Sequence, residues 1–342
     1  MRPSTMKTTL GLLLALALAG QGSAAQADEA TAPANWAELD NALTALAPQT
    51  SLLAAEVTAG DCAPIHEKEA DLTTPIGSSF KLYILAELAS RVAQGDLSWD
   101  DPLAIEDRYR SIPHGPLLYA PDGKLFTLRY LAEQMIQRSD NTATDHLLFL
   151  LGREAVEARM AAAGHHDPAL NRPLWGTREF AVAKFLWSDE ALDRYLKTGE
   201  AERRELLAAE TRGWPALEAY FEAEGDQRSP RRITQVEWFA DRQDLCRLLV
   251  HLKTDLGETG PQPTLEVLAL ADPLDLDRER WPTVGFKGGS EMGVLAGNWL
   301  LQRDDGRWFV MSTAVNDSTK PLDMPANIAV LRSAADLLYQ AP

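Results

Sequence analysis

Pro75-Ile76-Gly77-Ser78-Ser79-Phe80-Lys81-Leu82-Tyr83-Ile84-Leu85 is the stretch on which the reading of this chain turns. A glycine-containing turn runs here into an apolar, helix-compatible segment that ends around Leu88, with a serine and a lysine three residues apart at its start. A helix beginning near Ser78 puts positions i and i+3 on one face, so Ser78 Oγ and Lys81 Nζ fall within reach of each other. Serine is a poor nucleophile at neutral pH until a neighbouring group takes its proton. Lysine can take it only when burial or nearby cations lower its pKa. A helix N-terminus favours both, since its partial positive charge disfavours an ammonium and its free N–H groups can hold an oxyanion.

One Ser-x-x-Lys is about what chance supplies in a chain of this length, so its company decides its meaning. Ser139-Asp140-Asn141 stands directly behind the amphipathic stretch Thr127 to Arg138, and Lys287-Gly288-Gly289-Ser290 lies inside an alternating, strand-like run. Asp122-Gly123-Lys124-Leu125-Phe126-Thr127-Leu128-Arg129 leads into the first cluster, and Asn141-Thr142-Ala143-Thr144-Asp145 continues it. In order and context these segments resemble the Ser-x-x-Lys, Ser-Asp-Asn and Lys-Thr-Gly motifs of the class A β-lactamases and penicillin-binding proteins. The resemblance extends from about Trp36 to Leu338.

It implies an α/β fold with an antiparallel sheet of about five strands, helices on both faces and an all-helical subdomain, the site lying at their junction. It also implies roles. Ser78 is the nucleophile and Lys81 its base; Lys287 keeps Lys81 neutral by like-charge repulsion and, with Ser139, moves a proton to the leaving group. The backbone N–H groups of Ser78 and Ser290 form the oxyanion hole, and Asn141, Gly288, Gly289 and Ser290 face the substrate. A small-molecule acyl substrate, no cofactor, no metal and a monomer follow from the same resemblance.

Three departures from the family pattern shape the functional expectation. Class A enzymes carry an omega loop with Glu-x-x-Leu-Asn, whose glutamate activates the deacylating water. Here Leu170-Asn171 is kept but Asp167 holds the glutamate's place, and Thr177-Arg178-Glu179-Phe180 arrives early, so the loop reads as short. Glu179 and Asp167 are the candidates for water activation, and Glu179 is equally explicable as a first-turn helix acid. Gly288 replaces the Thr or Ser that binds a β-lactam carboxylate, which removes a charge-assisted hydrogen bond of about 1.5–3 kcal/mol. Ser290 compensates in part, and Arg303 is the cation proposed for a carboxylate. Finally, Trp187 to Arg232 form a charged, helix-compatible insertion, including Ala201 to Thr211 and Trp214 to Glu224, absent from class A enzymes. Trp187, Trp214, Tyr220 and Phe221 suit a partial lid.

Met1 to Ala27 has Arg2 and Lys7, an apolar run from Leu10 to Gly20 and Ala25-Gln26-Ala27, the pattern of a cleaved signal peptide too short to span a membrane. Export to the periplasm or outside the cell is expected, with Asp28 as the mature N-terminus. Losing Arg2 and Lys7 takes the formal charge from −17 to −19, a body repelled by anionic membranes and nucleic acid. Residues 28–342 read as one domain of two subdomains, without linker or repeat. Cys62 and Cys246 read as buried thiols rather than a bridge, although an oxidising compartment permits one. His165 and His166 read as a solvated helix end with no third ligand near, and His114 as a surface turn or part of the site's mouth.

Helix Ala34 to Leu46, strand Ser51 to Thr58, helix Glu154 to Ala163, helix Gln235 to Leu252, a hairpin of central strands over Phe286 to Leu301 and Trp308 to Val315, and helix Ala326 to Tyr339 complete the expectation. Three functions are compatible with it: a serine hydrolase acting on an ester or amide other than a β-lactam, a true β-lactamase with an unusual deacylating group, and a sensor that captures a ligand without turnover.

Overall fold

The computed structural model describes residues 32–112, 115–210, 229–254 and 263–342. The signal segment, Asp28, His114, and Trp214, Tyr220 and Phe221 with their expected helix lie outside the described residues. In chain order the elements used below are α1 (Trp36–Leu46), β1 (Gln49–Thr58), β2 (Asp61–Lys68), β3 (Thr74–Pro75), α2 (Lys81–Ala93), β4 (Pro102–Ala104), β5 (Leu125–Thr127), α3 (Leu128–Gln137), α4 (Asn141–Leu151) and α5 (Arg153–Ala162). They continue with α6 (Thr177–Ala181), α7 (Asp189–Lys197), α8 (Glu200–Glu210), β6 (Phe239–Ala240), α9 (Arg242–Thr254), α10 (Pro263–Leu268), β7 (Thr283–Glu291), β8 (Val294–Gln302), β9 (Trp308–Asn316) and α11 (Met324–Tyr339).

The main sheet has five strands in the order β2-β1-β9-β8-β7, each pair antiparallel. Side chains alternate across a strand, so β1 sends Leu52 and Ala54 to one face and Leu53 and Ala55 to the other. The first pair joins Leu39 and Leu43 of α1 and Leu331 and Leu338 of α11 in one core. The second joins Tyr83 of α2 and Leu245 and Leu248 of α9 in another, which continues through Leu131, Leu147 and Met160 into the helical half. With helices on both faces, β1 carries six consecutive buried residues instead of an alternating pattern. The helical half therefore shares its core with the sheet, and the site forms along their seam.

Two segments differ from the sequence expectation. Trp238-Phe239-Ala240-Asp241 does not open a helix: Phe239 and Ala240 pair with Pro75 and Thr74, and Asp241 Oδ1 accepts the Asp244 N–H, so the helix starts at Arg242. The run Phe286 to Leu301 is broken by Met292 and Gly293, where Gly293 takes φ +79°, giving a three-strand meander with β7 at the sheet edge.

Cys62 of β2 and Cys246 of α9 form a disulfide across 184 residues, with Cα atoms 6.4 Å apart. That corrects the buried-thiol reading. Separation in sequence carried no geometric information; β2 lies at one sheet edge and α9 crosses that face.

Candidate active site

The nucleophile turn is shorter and tighter than the sequence suggests. Gly77–Phe80 is a 3₁₀ turn and the α-helix begins only at Lys81. Residues i and i+3 eclipse in such a turn, which keeps Ser78 and Lys81 on one side. Gly77 enters with φ +48°. Asn298 of β8 fixes the turn to the sheet, its Nδ2 donating to Ser79 Oγ at 2.9 Å and to Lys287 O at 3.1 Å.

Strand β7 runs directly under this turn. A Cβ at Gly289 would lie 2.1 Å from Ile76 O and 2.5 Å from Ser78 N, so only glycine lets the two backbones cross there. Ser290 N lies 3.1 Å from where a Gly77 Cβ would stand, which brings the Ser78 and Ser290 amides to the same crossing. Lys287, Gly289 and Glu291 share a face of β7. The turn crosses at Gly289, and so a lysine stands on one side of it and a glutamate on the other.

On the lysine side, three motifs converge. Lys81 Nζ donates to Ser139 O at 2.7 Å, Ser139 Oγ at 3.0 Å and Asn141 Oδ1 at 2.7 Å. Lys287 Nζ donates to the same Ser139 Oγ at 3.1 Å and to Gly288 O at 2.6 Å. Ser139 takes φ +53°, and Asp140 caps α4 by accepting the Ala143 N–H. Among the described residues no hydrogen bond joins Ser78 Oγ to Lys81 Nζ; all three protons of an ammonium at Lys81 already have acceptors. Burial lowers the Lys81 pKa to about 7 against the opposing pull of Asp140 and Asp145. Burial, and then repulsion from Lys81, hold Lys287 well below the usual lysine range. Desolvation is therefore the main cause at Lys81, in place of the expected repulsion from Lys287. Loss of one proton leaves a buried amine lone pair three residues from a half-buried serine hydroxyl.

The glutamate side was not legible in the sequence. Glu237 Oε2 accepts the Gly77 N–H at 3.2 Å and the Trp238 N–H at 2.9 Å. Glu291 accepts from Lys184 Nζ at 2.6 Å, and Lys184 also donates to Val236 O at 3.1 Å. Burial, then the neighbouring Glu291, raise Glu237 well above the ordinary carboxylate range. Behind it Trp238 stacks between Phe80, at 4.0 Å, and Phe180, at 4.5 Å. The nucleophile turn thus leans on the segment that returns from the insertion.

The expected deacylation residues lie in other contacts. Glu179 is buried with both oxygens engaged, Oε1 by Arg153 Nη2 at 2.7 Å, Oε2 by Arg153 Nη1 at 2.9 Å and the Gly176 N–H at 2.7 Å. Asp167 is exposed and caps the short 3₁₀ turn Pro168–Asn171 through the Ala169 N–H. Neither lines the cavity at Ser78. Asn171 serves the fold, gripping the Phe239 backbone with both amide atoms. The short-loop reading is also revised: the chain leaving α5 returns to pair with β3 only at Phe239–Ala240, so the helical insertion sits inside this loop. Asp145 holds the loop's inner end through the Thr177 and Arg178 N–H groups, at 2.7 and 3.0 Å. Trp187 packs on Trp175 and Tyr195 within the insertion, so it supplies no lid over Ser78.

Arg303 is not a substrate cation. It chelates Asp305 and the carbonyls of Tyr339 and Ala341, tying the β8–β9 turn to the C-terminus. Arg138, exposed and directly before Ser139, lines the Ser78 cavity with Lys287, Gly288 and Ser290. It makes no ion pair among the described residues. Position in the chain next to Ser139 was the signal that could have found it.

Of the expected solvated histidines, His166 is exposed but His165 is buried. Asp244 is the third group, accepting from His166 Nδ1 at 2.7 Å and lying 3.6 Å from His165 Nδ1. His165 Nδ1 is already an acceptor for the Asp167 N–H, and Arg247 lies 2.7 Å from Asp244, so the cluster reads as a hydrogen-bonded clamp on the loop.

A family model described as the beta-lactamase enzyme family matches residues 36–207. Among solved structures, a beta-lactamase from Sphaerobacter thermophilus DSM 20745 is 18% identical with a TM-score of 0.60, over 90% of this chain and 99% of that one. An ancestral class A beta-lactamase is 18% identical with a TM-score of 0.61, over 90% and 98%. A PBP-A mutant solved as an acyl-enzyme complex with penicillin G is 16% identical with a TM-score of 0.60, over 89% and 94%. These likenesses establish the class A β-lactamase fold. No curated protein matches the chain.

Proposed function

Because this chain belongs to the beta-lactamase enzyme family, we propose that it is an exported serine hydrolase that forms an acyl-enzyme at Ser78 with Lys81 as the base. The observation that carries this reading is the buried Lys81 amine, with a pKa of about 7, held against Ser139 and Asn141 beside the Ser78 turn. The reaction begins as neutral Lys81 takes the Ser78 proton while Oγ attacks an acyl carbon. The Ser78 and Ser290 amides receive the oxyanion. Ser139, hydrogen-bonded to both lysines, then passes a proton to the leaving group. Asn141, Gly288, Gly289 and Ser290 flank the bound acyl group.

Substrate choice follows from the departures. Gly288 offers no hydroxyl to a carboxylate, and the contacts of Glu179 and Asp167 leave neither poised to activate water. Both favour an ester or amide other than a β-lactam as the main substrate. Arg138, in place of Arg303, is the cation for an anionic group. A true β-lactamase is the second reading, favoured by the family itself and requiring another route of water activation. A capture protein without turnover is the third, favoured by the same lack of a poised carboxylate.

Export is supported by the N-terminal pattern and by the Cys62–Cys246 disulfide, a bond that persists in oxidising compartments. No helix among the described residues is long and apolar enough to cross a membrane. A monomer acting on a small molecule, without nucleic acid, cofactor or metal, completes the proposal.

Intact-mass spectrometry over time after mixing with benzylpenicillin, and in parallel with an activated ester, tests this function. An adduct on the wild type that is absent from Ser78→Ala is expected. Clearance within seconds from penicillin would establish the second reading; persistence for hours would favour the first or third, separated by ester turnover. An adduct that survives Ser78→Ala would overturn the nucleophile.

A further inference from the structure

One cavity of about 420 Å³ begins at Ser78, Ser139 and Lys287 and continues to Phe286, Trp299, Leu295, Met324, Ile328 and Leu331. Lys287 and Phe286 are neighbours in β7 and so point to opposite faces of the sheet. The cavity therefore passes around β7, which is the sheet's edge strand and has no strand beyond it among the described residues. At the bend, Gly288 faces Gly297 across the β7–β8 ladder. A Cβ at Gly288 would lie 2.7 Å from the Phe286 ring, and one at Gly297 would lie 2.4 Å from the Trp299 ring. Both rings thus lie folded over the bare glycine backbone, their centroids 4.8 Å apart. They make an aromatic floor, with Met324, Ile328 and Leu331 of α11 as its wall.

Trp299 is almost fully buried and backs the floor, while the half-buried Phe286 ring presents its surface. The absence of a hydroxyl at Gly288 acquires a second meaning here. The position that would read a carboxylate instead admits an aromatic ring.

Resting on the reading of Ser78 as nucleophile, we propose that the substrate carries an aryl or medium-length alkyl group that rounds the edge of β7 and seats on Phe286 and Trp299. The anionic end, where present, stays at the polar mouth beside Arg138 and Lys287.

The test is a series of p-nitrophenyl esters from acetate to octanoate, together with phenylacetate. The wild type is expected to gain about fourfold in kcat/KM per added methylene up to about hexanoate, the increment of one buried methylene. Ile328→Trp fills the arm and should lower the hexanoate-to-acetate ratio at least about tenfold, whereas Ile328→Ala moves the preference to longer chains. Ser78-dependent hydrolysis that is indifferent to chain length, or a ratio unmoved by Ile328→Trp, would overturn the arm and leave the nucleophile standing. Calorimetry of the same esters with Ser78→Ala separates the two ideas. Tighter binding of hexanoate than acetate supports the arm even if no ester is turned over by the wild type, in which case the hydrolase reading falls alone. Equal binding of both removes the arm.

Discussion

The nucleophile turn lies between two buried charge clusters of opposite kind. On one side Lys81 and Lys287 meet at Ser139 Oγ; on the other Glu237 and Glu291 meet beside Lys184. The same physical cause acts on both, since burial disfavours whichever form is charged. It lowers the lysines, giving a base near neutral pH at Lys81, and raises Glu237, whose Oε2 accepts the Gly77 N–H. One cluster is placed to move protons and the other to hold the turn. Their positions on β7, at Lys287 and Glu291 with Gly289 between, make the division of labour a consequence of one strand crossing one turn.

The sharpest way to break that division is to remove one member from each side. Lys81→Met should lower kcat/KM by about 10²–10⁴, the span of a lost general base. Glu237→Gln keeps a carbonyl acceptor for the turn and should leave the rate within about tenfold, because only the hydrogen bond to the turn is retouched. Equal losses in the two variants, measured on one ester, would mean that Glu237 takes part in proton transfer and the contrast fails.

A change remote from both clusters serves as the control for stability. Replacing Cys62 and Cys246 together by serine should lower unfolding free energy by about 2–4 kcal/mol, read from urea melts. The pH midpoint of activity should stay where it is. A shifted midpoint would mean that the sheet edge at β2 transmits strain to the lysines.

The smallest effect is in the pH slopes, where the two sides have opposite signs. Activity should rise with pH through about 7 as Lys81 becomes the free amine, and Lys81→Met should abolish that limb. For stability, a lysine whose folded pKa lies below its unfolded value of 10.5 binds more protons unfolded between those limits. Its contribution therefore grows as pH rises from about 7 to 10.5. Glu237, raised above 4.5, binds more protons when folded, so its contribution falls as pH climbs above that value. Unfolding free energies across pH for Glu237→Gln and the wild type should diverge with this sign, and parallel curves would show Glu237 to be ionised in the fold.

Motif residues were readable in advance because each is a short local pattern: Ser78 to Lys81 on one turn, Ser139 to Asn141 at a helix start, Lys287 to Ser290 on one strand. Helix and strand periodicity likewise located α1, β1, α3, α5 and α11 to within a few residues. Where reading failed, the deciding partner was far away in sequence. Phe239 is a strand residue only because Thr74 and Pro75 lie beside it, and Glu179 is locked by Arg153 on another helix. Asp244 completes the histidine cluster from 78 residues beyond His166.

By itself, then, the sequence determined which groups can do chemistry here, since hydroxyl, amine and glycine are fixed by residue type and their local spacing by the backbone. Only the tertiary structure decided how those groups are charged, what they lean on and what shape lies beside them. Burial is a property of the whole assembly: it turns Lys81 into a base, Glu237 into a prop for the nucleophile turn and the Gly288–Gly297 pair into an aromatic-floored arm, and no local stretch of chain encodes it.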